Sequence, residues 1–199
     1  MVKRVFDLFA SMLALLLLFP ILLAIALLLK LESGGPVFFR QRRLGLGTRV
    51  FEIYKFRTMS PGAEMEGPRI TVKNDARVTR LGRTLRRFDL DELPTLINVL
   101  KGDMSFVGPR PEVPEYLAYY SEEQKRVFTV KPGLVDPVTL AFRNEAELLT
   151  GEDAERKYTR EILPRKLTLN LEYIQRQNLL SDAVVIARTL ATVLFVPKS

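Results

Sequence analysis

Two acidic residues, Asp91 and Glu92, sit side by side directly after a run of arginines, Arg77, Arg80, Arg83, Arg86 and Arg87. Carboxylates at a helix start feel the positive end of the macrodipole and its free N–H groups, which favours their ionised form. That form suits a nucleophile or a Mg²⁺ ligand and does not suit a general acid. Neighbouring residues at a helix start point in different directions, so one can attack while the other holds metal. The plainer alternative is that Asp91 is an N-cap and Glu92 a favourable first-turn residue. The arginines shift the balance towards chemistry, because guanidinium forks bind phosphate oxygens bidentately and a concentrated positive field attracts polyanions. The same basic stretch could also lie on anionic lipid head groups.

Two further anion-binding candidates accompany the pair. In Gly108-Pro109-Arg110-Pro111 the prolines fix φ and push the residues before them out of the α region, leaving Arg110 little freedom. Lys55 and Arg57 close an aromatic stretch, Val50 to Phe56 (VFEIYKF), which reads as a strand. The chain has no histidine and no cysteine. Disulfides, Cys-based metal sites and histidine acid–base chemistry are thereby excluded, and oxygen-only ligation points to a hard cation such as Mg²⁺. The 30 Lys and Arg outnumber the 23 Asp and Glu, a net charge of +7 that favours phosphates, nucleic acid or an acidic membrane face.

The elements that must hold these residues begin with an anchor. Met12 to Leu29 carries no charge, and as a helix it would be about 27 Å long, close to one bilayer core. Pro20 near its middle is expected to kink or break it. Basic residues flank both ends, Lys3 and Arg4 before it and Lys30, Arg40, Arg42 and Arg43 after it. Applied at both ends, the positive-inside tendency favours a re-entrant hairpin bent at Pro20 over a straight span. A signal peptide is disfavoured because no cleavage site follows. The expected layout is an anchor over residues 1–32 and a catalytic domain over 33–199.

Ser60 to Pro68 reads as a loop, and Thr79 to Phe88 as a basic helix. From Asp91 a further helix is expected, with Leu93, Leu96, Ile97 and Leu100 on its apolar face, Pro94 in the first turn and Gly102 just past the end. Ser121 and Gln124 have capping-box spacing, and Lys131-Pro132-Gly133 reads as a turn. Residues 165–177 and 182–196 have helical periodicity, the last strongly apolar and suited to lie on the membrane or the anchor. The fold class is therefore mainly α with a few short strands (α+β).

The stretches PVFFRQRRLG, FEIYKFRTM, LRRFDLDELPTLINVLKGDMSFVGPRP and KPGL closely resemble the small monotopic phosphoglycosyl transferases of the bacterial sugar transferase family. The resemblance covers essentially the whole chain and is strongest from Val37 to Pro111. It implies transfer of a sugar-1-phosphate from a UDP-sugar to undecaprenyl (polyprenyl) phosphate with release of UMP, an opening membrane step of bacterial glycoconjugate assembly. By the same resemblance Asp91 is the nucleophile and Glu92 the residue associated with Mg²⁺. Arg110 contacts phosphate, Lys55 and Arg86 belong to the active-site shell, and the anchor is a re-entrant helix broken at Pro20. The implied location is the cytoplasmic face of the bacterial inner membrane, without nucleic acid and with a dimer left open. Two departures stand out: Asp89, where many relatives carry Ser, and the segment 134–149. A different class, a non-enzymatic monotopic protein binding anionic lipid or nucleic acid, accounts for the charge and the apolar stretch but not for DELP beside GPRP.

Overall fold

The computed structural model of the protein describes residues 2–63, 75–138, 141–142, 145, 149 and 153–195. Part of the expected loop at 60–68 and much of the segment 134–149 lie outside the described residues. Helix α1 spans Val2–Ser33 with Pro20 inside it. Strand β1 (Phe38–Leu44) pairs antiparallel with β2 (Val50–Phe56), so that Phe39 lies opposite Lys55. Helix α2 (Arg80–Arg87) follows, then a 3₁₀ turn, Leu90–Thr95, leading into α3 (Leu96–Lys101). Strands β3 (Ser105–Val107) and β4 (Gly133–Val135) form a short parallel pair. Helix α4 (Ala154–Lys157) continues through a π-turn, Tyr158–Ile162, into α5 (Leu163–Arg176), and α6 (Leu179–Phe195) is the last described element. The structure is mainly helical with few strands, as expected.

Several local signals act as their chemistry requires. Thr79 caps α2, its side chain accepting from the Gly82 N–H. Gly102 ends α3 at φ 90°, a left-handed position that glycine adopts without a Cβ penalty. Ser121 and Gln124 exchange their capping-box bonds at 2.9 and 3.2 Å. At Lys131-Pro132-Gly133 the expected turn is not formed: Lys131 and Pro132 are extended, irregular chain leading into Gly133, the first residue of β4.

Two expectations around the acidic pair are corrected. Asp91 is not the N-cap: Asp89 holds that position, at φ 54°, and Asp91 lies inside the 3₁₀ turn. Short polar Asp tolerates this left-handed backbone better than most residues, and the chain pivots on it between α2 and the turn. Of the expected apolar face Leu93, Leu96, Ile97 and Leu100, Leu96 is fully buried and the other three are half-buried. The fully enclosed residues include Leu96, Val99 and Asn98, because the segment lies between α1 and β2 and is covered on two sides. Asn98 ties it to β2, accepting from the Tyr54 N–H at 2.9 Å and donating to the Glu52 carbonyl at 2.7 Å.

Helix α1 is bound to the rest of the structure near both of its ends. Near its start, Lys3 pairs with the buried Asp182 of α6, Arg4 donates to the carbonyls of Val99 and Leu100, and the buried Asp7 accepts from Ser105 and Phe106. Towards its end, Ile25 and Leu29 pack with Phe56 and Leu85. In between, the apolar side chains stand open, with Leu16 72%, Leu17 67% and Phe19 61% exposed. Among the described residues α1 is the one helix long and apolar enough to cross a membrane.

Candidate active site

Glu92 is where three segments of chain meet. Lys55 near the end of β2 donates to its Oε1 at 2.7 Å, and Arg110 donates to Oε1 at 2.5 Å and to Oε2 at 3.2 Å. These two cations hold its carboxyl well below the usual carboxylate range, overcoming the burial that would raise it. Each cation keeps donors in reserve. A guanidinium has five N–H donors, and Arg110 lies exposed at the rim, where the remaining ones can meet a phosphate. Burial lowers Lys55 from the ordinary lysine value, against the opposing pull of Glu92.

Asp91 is placed differently. It is buried, and among the described residues no hydrogen bond ends on its carboxylate. Burial, reinforced by the charge of Glu92, raises its pKa, although Lys55 and Arg86 pull the other way. The expectation that a helix start would favour the ionised form is thus reversed for Asp91. The turn has little macrodipole to offer, and loss of solvent outweighs it. One carboxylate is clamped and ionised, while its neighbour is enclosed and uncommitted.

Close backbone approaches bring the cations to this pair. Thr79 N–H bonds the Thr58 carbonyl at 3.0 Å, and a Cβ on Gly82 would lie 2.1 Å from that same oxygen. Only glycine lets α2 sit so near the exit of β2. Arg86 thereby reaches inward, donating to Thr58 Oγ1 at 2.8 Å and acting on Asp91 electrostatically. Arg80, Arg83 and Arg87 face outward and are exposed, and Arg77 is held by Asp75. On the far side the Gly108 N–H bonds Val135 and the Gly133 N–H bonds the Pro109 carbonyl at 2.9 Å. A Cβ on Gly133 would lie 2.0 Å from the Gly108 nitrogen, so the two glycines pack directly together and fix the turn that presents Arg110.

The structure therefore brings Lys55, Arg86, Asp91, Glu92 and Arg110 together, but not Arg57. Although only two residues beyond Lys55, Arg57 follows the end of β2 and turns to the other end of the anchor. There it donates to Ser33 Oγ at 2.8 Å and to the carbonyl of Gly34 at 2.5 Å. It closes the C-terminal end of α1 instead of lining the acidic site. Sequence reasoning counted Arg43 only as a flanking charge, yet it is enclosed beside the site, donating to the Pro111 carbonyl at 3.0 Å and pairing with Glu112. A small cleft opens here, bordered by Arg43, Lys55, Glu92, Arg110 and Pro111 but not by Asp91.

Mg²⁺ binds through one or two carboxylates and keeps water or phosphate oxygens as its other ligands, so it needs no dense acidic cluster. Among the described residues there is none of three or more ligating groups. Glu92 fits the lighter requirement. It is ionised, and its Oε2 accepts a single long bond from Arg110.

Comparison with known proteins gives the family. The profile of the bacterial sugar transferase family matches residues 1–196, and the chain belongs to that family. It is 38% identical over 193 residues to the UDP-N-acetylgalactosamine-undecaprenyl-phosphate N-acetylgalactosaminephosphotransferase of Aeromonas hydrophila, covering 97% of this chain and 44% of that protein. It is 40% identical over 200 residues to the undecaprenyl-phosphate glucose phosphotransferase of Komagataeibacter xylinus, covering 97% of this chain and 36% of the relative. It is 40% identical over 197 residues to the UDP-glucose:undecaprenyl-phosphate glucose-1-phosphate transferase of Caulobacter vibrioides, covering 96% and 69% respectively. The chain thus spans less than half the length of the first two relatives and about two thirds of the third.

The state of Asp91 has a measurable consequence for stability. Its folded-state pKa lies above the unfolded value, so near pH 7 the buried charge opposes folding, and this cost fades as pH falls towards the unfolded pKa of about 3.9. Asp91→Asn is expected to melt higher than wild type at pH 7, with the difference closing as the pH approaches 4. A variant that melts lower at pH 7 would show that the ionised Asp91 stabilises the fold.

Proposed function

We propose that the chain transfers a sugar-1-phosphate from a UDP-sugar to a polyprenyl phosphate through a covalent intermediate on Asp91. The observation that carries this reading is the unequal treatment of the two adjacent carboxylates. Glu92 is engaged by Lys55 and Arg110, whereas no hydrogen bond among the described residues holds Asp91. A nucleophile has to be ionised, close to cations and unencumbered. Asp91 meets the last two conditions, and an arriving diphosphate that displaces water leaves the first to the balance between burial and the neighbouring Lys55 and Arg86.

In the first half-reaction an Asp91 oxygen attacks the β-phosphorus of the donor. The bond from that phosphorus to the oxygen bridging the two phosphates breaks, and UMP departs with the bond's electron pair. In the second, an oxygen of the polyprenyl phosphate attacks the same phosphorus and the Asp91 carboxylate leaves, giving polyprenyl diphosphate sugar. Lys55, Arg86 and Arg110 hold the diphosphate oxygens and oppose charge building up on them, which is the main need of such a transfer. Glu92 would hold Mg²⁺, and the metal, when bound, supplies charge neutralisation on the diphosphate.

The anchor is read as re-entrant, with both ends at the cytoplasmic face. Supporting this, Lys3, Arg4 and Asp7 at one end and Ile25, Leu29 and Ser33 at the other all engage one catalytic body, with Pro20 and the exposed apolar residues between them. A straight span would carry one end across about 30 Å of hydrocarbon, away from that body. The re-entrant arrangement keeps Asp91 at the depth of a lipid phosphate.

A panel of UDP-sugars supplied with a polyprenyl phosphate and Mg²⁺ tests the reaction. UMP release by wild type is expected for at least one donor, falling by about 10⁴-fold or more in Asp91→Asn and lost on chelation with EDTA. Absence of turnover with every donor, or full activity in Asp91→Asn, contradicts the reading. Topology is tested in this cysteine-free chain by Val5→Cys and Leu31→Cys, both at exposed positions. An impermeant thiol reagent is expected to reach both from the same side of inner-membrane vesicles, and opposite-side labelling would establish a straight span.

A further inference from the structure

Beside Arg110 a second, narrow cleft opens between the Pro109–Glu112 turn and α5. Arg110 and Pro111 border both clefts, so the second continues from the phosphate-handling site. Its wall includes Tyr120, Phe128, Tyr158, Lys166 and Asn170. The helix bearing the last two is entered through the π-turn Tyr158–Ile162, a widened geometry that recurs at functional sites.

The polar groups this helix gives the cleft are not alike. The Tyr158 hydroxyl donates to Glu112, and Lys166 pairs with Glu145 at 2.5 Å. Asn170 is only 4% exposed, and its Oδ1 is fully enclosed without a hydrogen-bond partner. No bond from its amide to another described residue is present either. A buried carboxamide left unpaired costs about 1–3 kcal/mol, and in a native structure such a group needs a reason.

We propose that Asn170 is a specificity residue that reads the donor beyond its diphosphate, pairing with a planar amide. This rests on the UDP-sugar reading above. A carboxamide presents an N–H donor and a C=O acceptor side by side, and its complement is a group offering the same two in reverse order. A UDP-sugar has one such edge, the N3–H and C4=O of uracil; the acetamido substituent of an N-acetylated sugar is a trans amide whose N–H and C=O point to opposite sides, so it can meet Asn170 through a single bond. The stacked Tyr120 and Phe128 rings, 5.3 Å between centroids, give the cleft a flat apolar side against which either group can lie. The diphosphate, which Lys55, Arg86 and Arg110 are proposed to hold, is common to every UDP-sugar, so reading the rest of the donor falls to groups outside that set.

The test uses the full chain in detergent. Calorimetry gives the UMP affinity of wild type, Asn170→Leu and Asn170→Asp, and kcat/KM is measured for UDP-glucose, UDP-galactose and their N-acetylated counterparts. Asn170→Leu keeps the volume and removes the buried polar group, so its melting midpoint is expected to equal or exceed that of wild type. Asn170→Asp keeps the shape and loses the donors, and serves should the leucine variant fail to fold. A fall in UMP affinity of about tenfold in these variants assigns Asn170 to uracil. Unchanged UMP affinity with an about tenfold change in the preference between acetamido and plain sugars assigns it to the sugar. Unchanged UMP affinity together with unchanged sugar preference overturns the proposal, Asn170 then being a structural residue. Weakened UMP binding in a protein whose wild type turns over no UDP-sugar sinks the transferase reading and leaves this inference standing.

Discussion

The clamp on Glu92 organises the rest of the site. Lys55 arrives from an antiparallel strand pair, Arg110 from a turn fixed by a parallel strand pair, and Glu92 from the 3₁₀ turn between α2 and α3. None of these segments is a local neighbour of the others, so one carboxylate defines their meeting point. Removing one partner of a buried charge pair leaves the other uncompensated, which makes the arrangement costly to distort. Because Glu92 absorbs the nearest positive charge, Asp91 is left enclosed without a dedicated partner. The reactivity assigned to Asp91 follows from what Glu92 takes.

The anchor is part of this construction and not a tether attached to it. Arg4 closes the carbonyl end of α3, the short helix whose Asn98 fastens the acidic segment to β2. Arg57 closes the carbonyl end of α1, two residues beyond the site's own Lys55. Leu29 and Leu85 join the anchor to α2, which carries Arg86. Basic residues that look like flanking charge for a lipid surface are thus partly spent on helix ends, where a cation offsets unpaired carbonyls and the negative end of the dipole. Movement of α1 would be felt at the base of the site.

Much of this was legible in the sequence where the signal is local. The β-branched and aromatic residues of VFEIYKF marked β2, Thr79 marked the start of α2, and Gly102 marked the end of α3. The family motifs marked Lys55, Arg86, Asp91, Glu92 and Arg110 as a group. What the sequence concealed depends on contacts made across long separations. Arg57 follows Lys55 at strand spacing, yet the strand ends between them and their directions part. The raised pKa of Asp91 comes from enclosure, which no neighbour in sequence announces. Arg43 looked like one more cation in a basic run until Pro111 and Glu112 closed over it. Asn170 sits in an ordinary helical stretch, and its isolation appears only once the cleft around it is formed.

Covalent trapping tests the central claim most directly. Wild type and Asp91→Asn are incubated with a turned-over UDP-sugar and Mg²⁺ in the absence of polyprenyl phosphate, quenched, and examined as intact protein and as peptides by mass spectrometry. The account predicts a single sugar-phosphate added to wild type, located on the peptide at Asp91, absent from Asp91→Asn and discharged when polyprenyl phosphate is supplied. A wild-type enzyme that turns over with acceptor but never carries the adduct, or carries it on another residue, would contradict it.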